Sequence, residues 1–177
     1  MSALNRSLIS RSQLVYAVGI LLLCAGCGHT DAQSVSGTAD RIVILKSART
    51  MTLMSGSKVL KVYKVAIGRS PVGPKTRVGD HKTPEGFYVI DAKKDPSRFH
   101  RAFHLSYPNQ TDVERSRQLG VSPGGDIEIH GIENGLGWIG SLHRTFDWTD
   151  GCIGVTDAEI DEAWQMVPVG TVVEIRP

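Results

Sequence analysis

Cys152 lies in the run Trp148-Thr149-Asp150-Gly151-Cys152-Ile153, and His130-Gly131 closes an alternating run 22 residues upstream. A cysteine in a glycine-containing tight loop and an imidazole brought to it by folding are the components of thiolate acyl transfer. A thiol with an ordinary pKa of about 8.5 is mostly protonated at neutral pH, so it needs a base or a positive field. An imidazole supplies both, because it takes the proton and its cation then stabilises the thiolate. That pairing predicts a Cys152 pKa below the ordinary value, rising when His130 is removed. His143 is nearer in sequence and is the second candidate for the base; with Arg144 it would alternatively hold a substrate carboxylate. Asp150 either orients an imidazole, as the third member of a triad does, or caps the turn. A carboxylate beside a thiol raises its pKa unless it is turned away or paired.

Other chemistries fit less well. Asp126, His130, His143 and Cys152 carry zinc-ligating atoms, but none has the spacing of a zinc motif, so no metal is expected. Gly131, Gly135, Gly137 and Gly140 suit a loop that bends around a substrate, since no phosphate-cradling glycine pattern is present. Trp138 and Trp148 either line a groove or pack in the core.

These residues need rigid neighbours. From Asp126 to His130 the chain alternates, which predicts a strand with Asp126, Glu128 and His130 on one face and Ile127 and Ile129 toward a core. Further strands are predicted over 42–45, 50–54, 59–67, 87–90, 102–107 and 171–175, with Ser55-Gly56-Ser57 as a hairpin turn. Residues 68–86 form a long loop rich in Gly and Pro. A helix is predicted over 112–119, with Thr111 as its cap and Glu114 in the first turn. A second follows Cys152, where Thr156 and Glu159 form a capping box and Ile160, Ala163, Trp164 and Val167 recur at helical spacing. The pattern is mainly β with one or two short helices.

Composition bounds the setting. The 177 residues, 41% hydrophobic, suit one domain preceded by a leader. Arg6 and Arg11 precede an apolar run of about ten residues (14–23), too short to span a bilayer, and the whole reads as a secretory signal. Ala25-Gly26-Cys27 resembles a lipobox, with Cys24 where leucine is usual, so lipidation of Cys27 is expected; the alternative is cleavage after Ala32. Residues 1–27 are thus read as signal, 28–40 as a flexible tether and 41–177 as the domain. Lys and Arg total 20 against 18 Asp and Glu, so without Arg6 and Arg11 the charges balance. No basic run favours nucleic acid. Cys152 becomes the sole thiol of an exported domain, where an unpaired cysteine either packs as a small hydrophobe or has a chemical role.

The motifs together resemble the L,D-transpeptidase catalytic domain (YkuD-type) family of bacterial cell-wall enzymes. The matching pieces are Ile42-Val43 through Thr50, Lys82-Thr83-Pro84-Glu85-Gly86-Phe87, Ile129-His130-Gly131, Gly151-Cys152-Ile153 and Val167 to Ile175. The departure is Thr149-Asp150 where the family usually has Ser-His before Gly-Cys, with Gly154 where arginine is common. The resemblance implies a β-sandwich or barrel and acyl transfer on peptidoglycan stem peptides. Cys152 would attack the third residue's carbonyl and expel a terminal D-alanine, and His130 would move the proton. Backbone N–H groups of Gly151 and Cys152 would hold the oxyanion, without any cofactor. An amine acceptor gives a transpeptidase. Water gives an L,D-carboxypeptidase, or an amidase releasing wall-linked protein. A wall-binding lipoprotein without catalysis is the third reading. All three place the protein in the periplasm or cell envelope, held to a membrane if Cys27 is lipidated.

Overall fold

The computed structural model describes residues 37–177. Residues 1–27, read as the signal with Cys27 as its lipidation site, and residues 28–36, read as tether, lie outside the described residues. Eight strands form the core, in chain order β1 (Arg41–Leu45), β2 (Thr50–Ser55), β3 (Lys58–Lys64), β4 (Gly86–Ser97), β5 (His100–Leu105), β6 (Glu128–His130), β7 (Ile153–Gly154) and β8 (Val172–Arg176). Two helices, α1 (Gln110–Gln118) and α2 (Asp157–Met166), and a 3-10 segment (Gly137–Thr145) complete it. The mainly-β expectation holds, and the spatial order is β3-β2-β1-β8-β4-β5-β6-β7.

Alternation drives this architecture. Ile42 and Ile44 of β1 and Met51 and Leu53 of β2 point to one fully buried face. Each such side chain gains roughly 1.5–3 kcal/mol from leaving water. Strand β4 joins two sheets. Gly86 to Val89 pair with β8, while from Ile90 onward the strand pairs with β5, after an irregularity between Ile90 and Ala92. A bulge at that point bends the strand and lets it serve both layers. The outer edges then meet, since Ala66 and Gly154 exchange both backbone hydrogen bonds at 2.9 and 2.8 Å.

The capping box of α2 forms as expected: the Glu159 amide donates to Thr156 Oγ1 and the Thr156 amide to the Glu159 carboxylate. Helix α1 differs. It starts earlier, its cap is Asn109 in place of Thr111, and Asp112 fills the reciprocal position expected of Glu114. Asp112 is chosen because it is buried and also accepts from Tyr88 Oη at 2.9 Å, an anchor that exposed Glu114 lacks. The packed domain also begins before Arg41: Ala39, read as tether, is fully buried and its amide donates to Met166 O.

Candidate active site

His130 ends β6 and Cys152 directly precedes β7, and these two strands run parallel with Ile129 opposite Ile153 and His130 opposite Gly154. Cys152 directly precedes β7 and opens on a cleft, while His130, on the paired strand, is not among the residues that line that cleft.

The turn before Cys152 is built from its own residues. Thr149 Oγ1 donates to the Cys152 carbonyl at 2.7 Å and accepts the Gly151 amide at 3.1 Å. Gly151 has φ of 133° and approaches so closely that a Cβ there would sit 2.6 Å from the Lys82 carbonyl oxygen. Only glycine fits both demands. The Gly151 amide is therefore engaged, which removes it as a free oxyanion donor; the Cys152 amide has no protein partner among the described residues. A hydroxyl two residues back captures the Gly151 N–H first.

His130 is only 2% exposed. Its Nδ1 donates to the Gly131 carbonyl at 2.7 Å, which leaves Nε2 as the basic nitrogen. Phe99 stacks on the ring at 4.3 Å between centroids, and Trp148 meets it edge-on at 5.7 Å. Burial lowers the His130 pKa below the ordinary histidine value, so the ring is neutral at physiological pH. Gly131 is closely packed beside it: a Cβ would fall 2.7 Å from Asp157 Oδ1 and 3.0 Å from the Phe99 carbonyl oxygen.

The sulfur itself departs from expectation. Cys152 Sγ donates to the Asp126 carbonyl at 3.6 Å, with no hydrogen bond to His130. Burial pushes the thiol up to about 11, and the carboxylates of Glu128 and Asp150 push the same way. The Glu128 backbone amide and Lys75 oppose this without overcoming it. The expected low-pKa thiolate is thus reversed: the neighbouring imidazole is neutral, and two carboxylates face a desolvated sulfur.

Asp150 is paired. Its carboxylate accepts from the Arg69 guanidinium and from His81 Nδ1, the latter at 2.7 Å. Arg69 holds its carboxyl below the usual range, with His81 helping against the burial that opposes them. Cys152, Asp150 and His81 line one cleft of about 300 Å³ with Lys75, Val78 and the stretch Gly124–Ile127. Asp126 belongs to the cleft wall, but its φ of 54° takes it out of the predicted strand alternation, so it does not align with Glu128 and His130.

The remaining candidates lie elsewhere. His143 is buried against Trp148, whose Nε1 donates to its Nδ1 at 3.3 Å. Burial holds its pKa down to about 4. Arg144 donates to Glu159 at 2.9 Å and to the Lys64 carbonyl at 2.8 Å, bracing the 3-10 segment. His143 and Trp148 line a separate apolar cavity of about 260 Å³, and Trp138 projects from the surface, 81% exposed. None of these four lines the Cys152 cleft.

Sequence reasoning missed Arg69, Lys75 and His81, which share the long 68–86 loop. Aperiodic loops carry no signal for which residue faces a distant site. The Lys82 to Phe87 motif inside that loop was the available pointer.

Residues 39–175 match the model of the YkuD L,D-transpeptidase catalytic domain. The chain belongs to this family. Among L,D-transpeptidase relatives, the chain is 30% identical over 141 residues to YafK of Escherichia coli (strain K12), a protein named only provisionally as an L,D-transpeptidase. That match covers 76% of this chain and 50% of YafK. The helical cell shape determining protein Pgp2 (K307A mutant) of Campylobacter jejuni superposes with a TM-score of 0.59 at 25% identity, over 80% of this chain and 48% of Pgp2. An L,D-transpeptidase from Mycobacterium smegmatis shares the fold, with a TM-score of 0.52 at 18% identity over 78% of this chain and 59% of that one. The chain spans about half the length of YafK and Pgp2. Its L,D-transpeptidase fold thus comes with a Thr-Asp-Gly-Cys turn and the Asp150 pairings described above.

Proposed function

We propose that this protein is a peptidoglycan L,D-transpeptidase in which Cys152 is the nucleophile and His130 the general base. The observation supporting this reading is the neutral, tautomer-fixed His130 at the end of β6, the strand paired with β7, directly before which Cys152 opens on a cleft. The thiol is protonated at rest, so proton removal accompanies attack. The sulfur exchanges its Asp126 contact for Nε2, which takes the proton as the S–C bond forms at the third residue's carbonyl. Resting geometries of this kind commonly tighten only when substrate binds. The tetrahedral oxyanion meets the Cys152 amide. Collapse breaks the C–N bond, His130 returns the proton to the departing D-alanine amine, and a thioester remains on Cys152. An acceptor amine then attacks the thioester, loses its proton to His130, and regenerates the thiol.

Water in place of that amine gives the carboxypeptidase or amidase variant of the same site. The envelope is the setting this substrate requires, with Cys27 as the lipid-bearing residue. Likeness to Pgp2 supports a part in shaping the wall.

The test is incubation of a muropeptide digest with the wild-type protein beside Cys152→Ala. Dimers linked 3→3, absent with the variant, are expected. Trimmed monomers alone would assign hydrolysis, and an unchanged digest would overturn the reading.

A further inference from the structure

Asp150 and His81 line the Cys152 cleft and proton transfer does not use them; Arg69 joins them from just outside that lining. Asp150 accepts from both Arg69 and His81, and all three come from segments tied together by backbone bonds: Arg69 N donates to Thr149 O and Ser70 N to His81 O, each at 3.0 Å. Asp150 is 72% exposed, so the pair is not a buried structural brace. Exposed ion pairs contribute little to stability, typically below about 1 kcal/mol. Holding two long side chains in one place at the lip of a cleft therefore needs another reason.

The donors left over suggest one. With Nδ1 on Asp150, His81 keeps Nε2 free, and Arg69 Nε and Nη1 have no protein partner among the described residues. Asp150 thus fixes two donor-bearing groups side by side and leaves their outward nitrogens unused. Nη2, shared by both forks of the guanidinium, is committed to Asp150, so an incoming carboxylate is met by single donors, one from Arg69 and one from His81 Nε2. A residue expelled from the scissile bond carries its carboxylate one residue further along, about 3.5 Å of chain from the attacked carbonyl, and His81 and Asp150 line the same cleft as Cys152.

We propose that Arg69 and His81, positioned by Asp150, form the subsite that receives the free carboxylate of the leaving residue of the stem. The proposal rests on the transpeptidase reading for which residue leaves. It goes beyond it by making carboxylate recognition a property of the loop 68–86 and of the aspartate that stands before Gly151-Cys152. His81 and Arg69 touch the substrate; Asp150 is a positioning residue.

The experiment compares two tetrapeptide stems, one ending in a free carboxylate and one in the carboxamide, with full-length wild type, Arg69→Gln, His81→Gln and Asp150→Asn. The wild type is expected to prefer the acid by about tenfold or more in kcat/KM, mostly through KM. Each variant loses most of that preference, its kcat/KM on the acid falling to about its own value on the amide. Wild type treating both stems alike, or variants retaining the preference, overturns the subsite. A second readout keeps the two readings apart: protection of Cys152 from iodoacetamide by each stem, followed by peptide mass mapping. If neither stem is turned over but the acid alone protects, and protects only with Arg69 and His81 present, the subsite stands and the reaction assignment falls. Equal protection by both stems, or by neither, removes the subsite.

Discussion

Gly151 lies against the backbone of Lys82: a Cβ added to Gly151 would sit 2.6 Å from the Lys82 carbonyl oxygen. That contact fastens the loop that carries Arg69 and His81 to the turn that carries Cys152, so the two walls of the cleft are set by one close approach. Gly151→Ala is expected to lose about 1–3 kcal/mol of stability from the positive φ alone. Its activity should fall further than its stability does, because the sulfur moves with the turn. Chemical denaturation beside turnover measures both, and an alanine variant as stable as wild type would contradict the packing described.

Lys46 anchors the other end of that loop. It is 2% exposed, and its Nζ donates to the carbonyls of Gly73 and Thr83 and to Glu85 at 2.7 Å. Lys46→Met leaves Glu85 without its cation and two carbonyls without their donor. Breaking a buried pair from one side costs about 3–5 kcal/mol. Thermal unfolding of Lys46→Met should show that loss, and Lys46→Met/Glu85→Leu should recover part of it. A single variant within about 0.5 kcal/mol of wild type would mean that the loop is held by other contacts.

Asp80 gives the loop a pH dependence. Burial would raise its pKa, but amides of Thr76, Arg77 and Lys82 and the Lys75 ammonium hold it down to about 2. A carboxylate depressed in the folded state adds stability above its unfolded value of about 3.8 and loses it as pH falls toward 2. The difference is worth about 2 kcal/mol. Denaturation of wild type and Asp80→Asn should therefore diverge above pH 4 and converge below it. A gap that stays constant from pH 6 to pH 2 would contradict this.

The titrations of His130 and Cys152 separate widely. His130 is pushed below the ordinary histidine value by burial, so its basic form survives mild acid. The acid limb of kcat/KM should fall below pH 6.5, with activity lost only as pH drops through that lowered value. The free thiol should alkylate with a midpoint near 11, and Glu128→Gln should shift that midpoint down by removing one carboxylate. An acid limb above 6.5 or a thiol midpoint below 8.5 would restore the thiolate–imidazolium picture that the bare sequence suggested.

Regular elements were legible in the sequence because their signals are local. The Thr156–Glu159 capping box and the alternation of β1 and β2 depend on residues a few positions apart. His130 and Cys152 stand out in the sequence by residue type alone, since an imidazole and a thiol are the groups that thiolate acyl transfer needs. What surrounds them was not. The high thiol pKa arises from Glu128, Asp150 and burial acting together, and the pairing of Asp150 comes from Arg69 and His81, about 70–80 positions away. Such contacts exist only after the β6–β7 pairing and the Lys82–Gly151 approach have formed. Asp126 shows the converse, where a clean alternation fails at one residue because the chain turns through positive φ.

Intact-mass spectrometry of the full-length protein, quenched soon after mixing with tetrapeptide stem, tests acyl transfer through Cys152 most directly. His130-assisted attack predicts a transient acyl adduct on Cys152, lighter than the stem by one D-alanine, absent in Cys152→Ala and formed at least about a hundredfold more slowly in His130→Ala. Turnover of the stem with no adduct at any time, or an adduct that forms equally fast without His130, would contradict it.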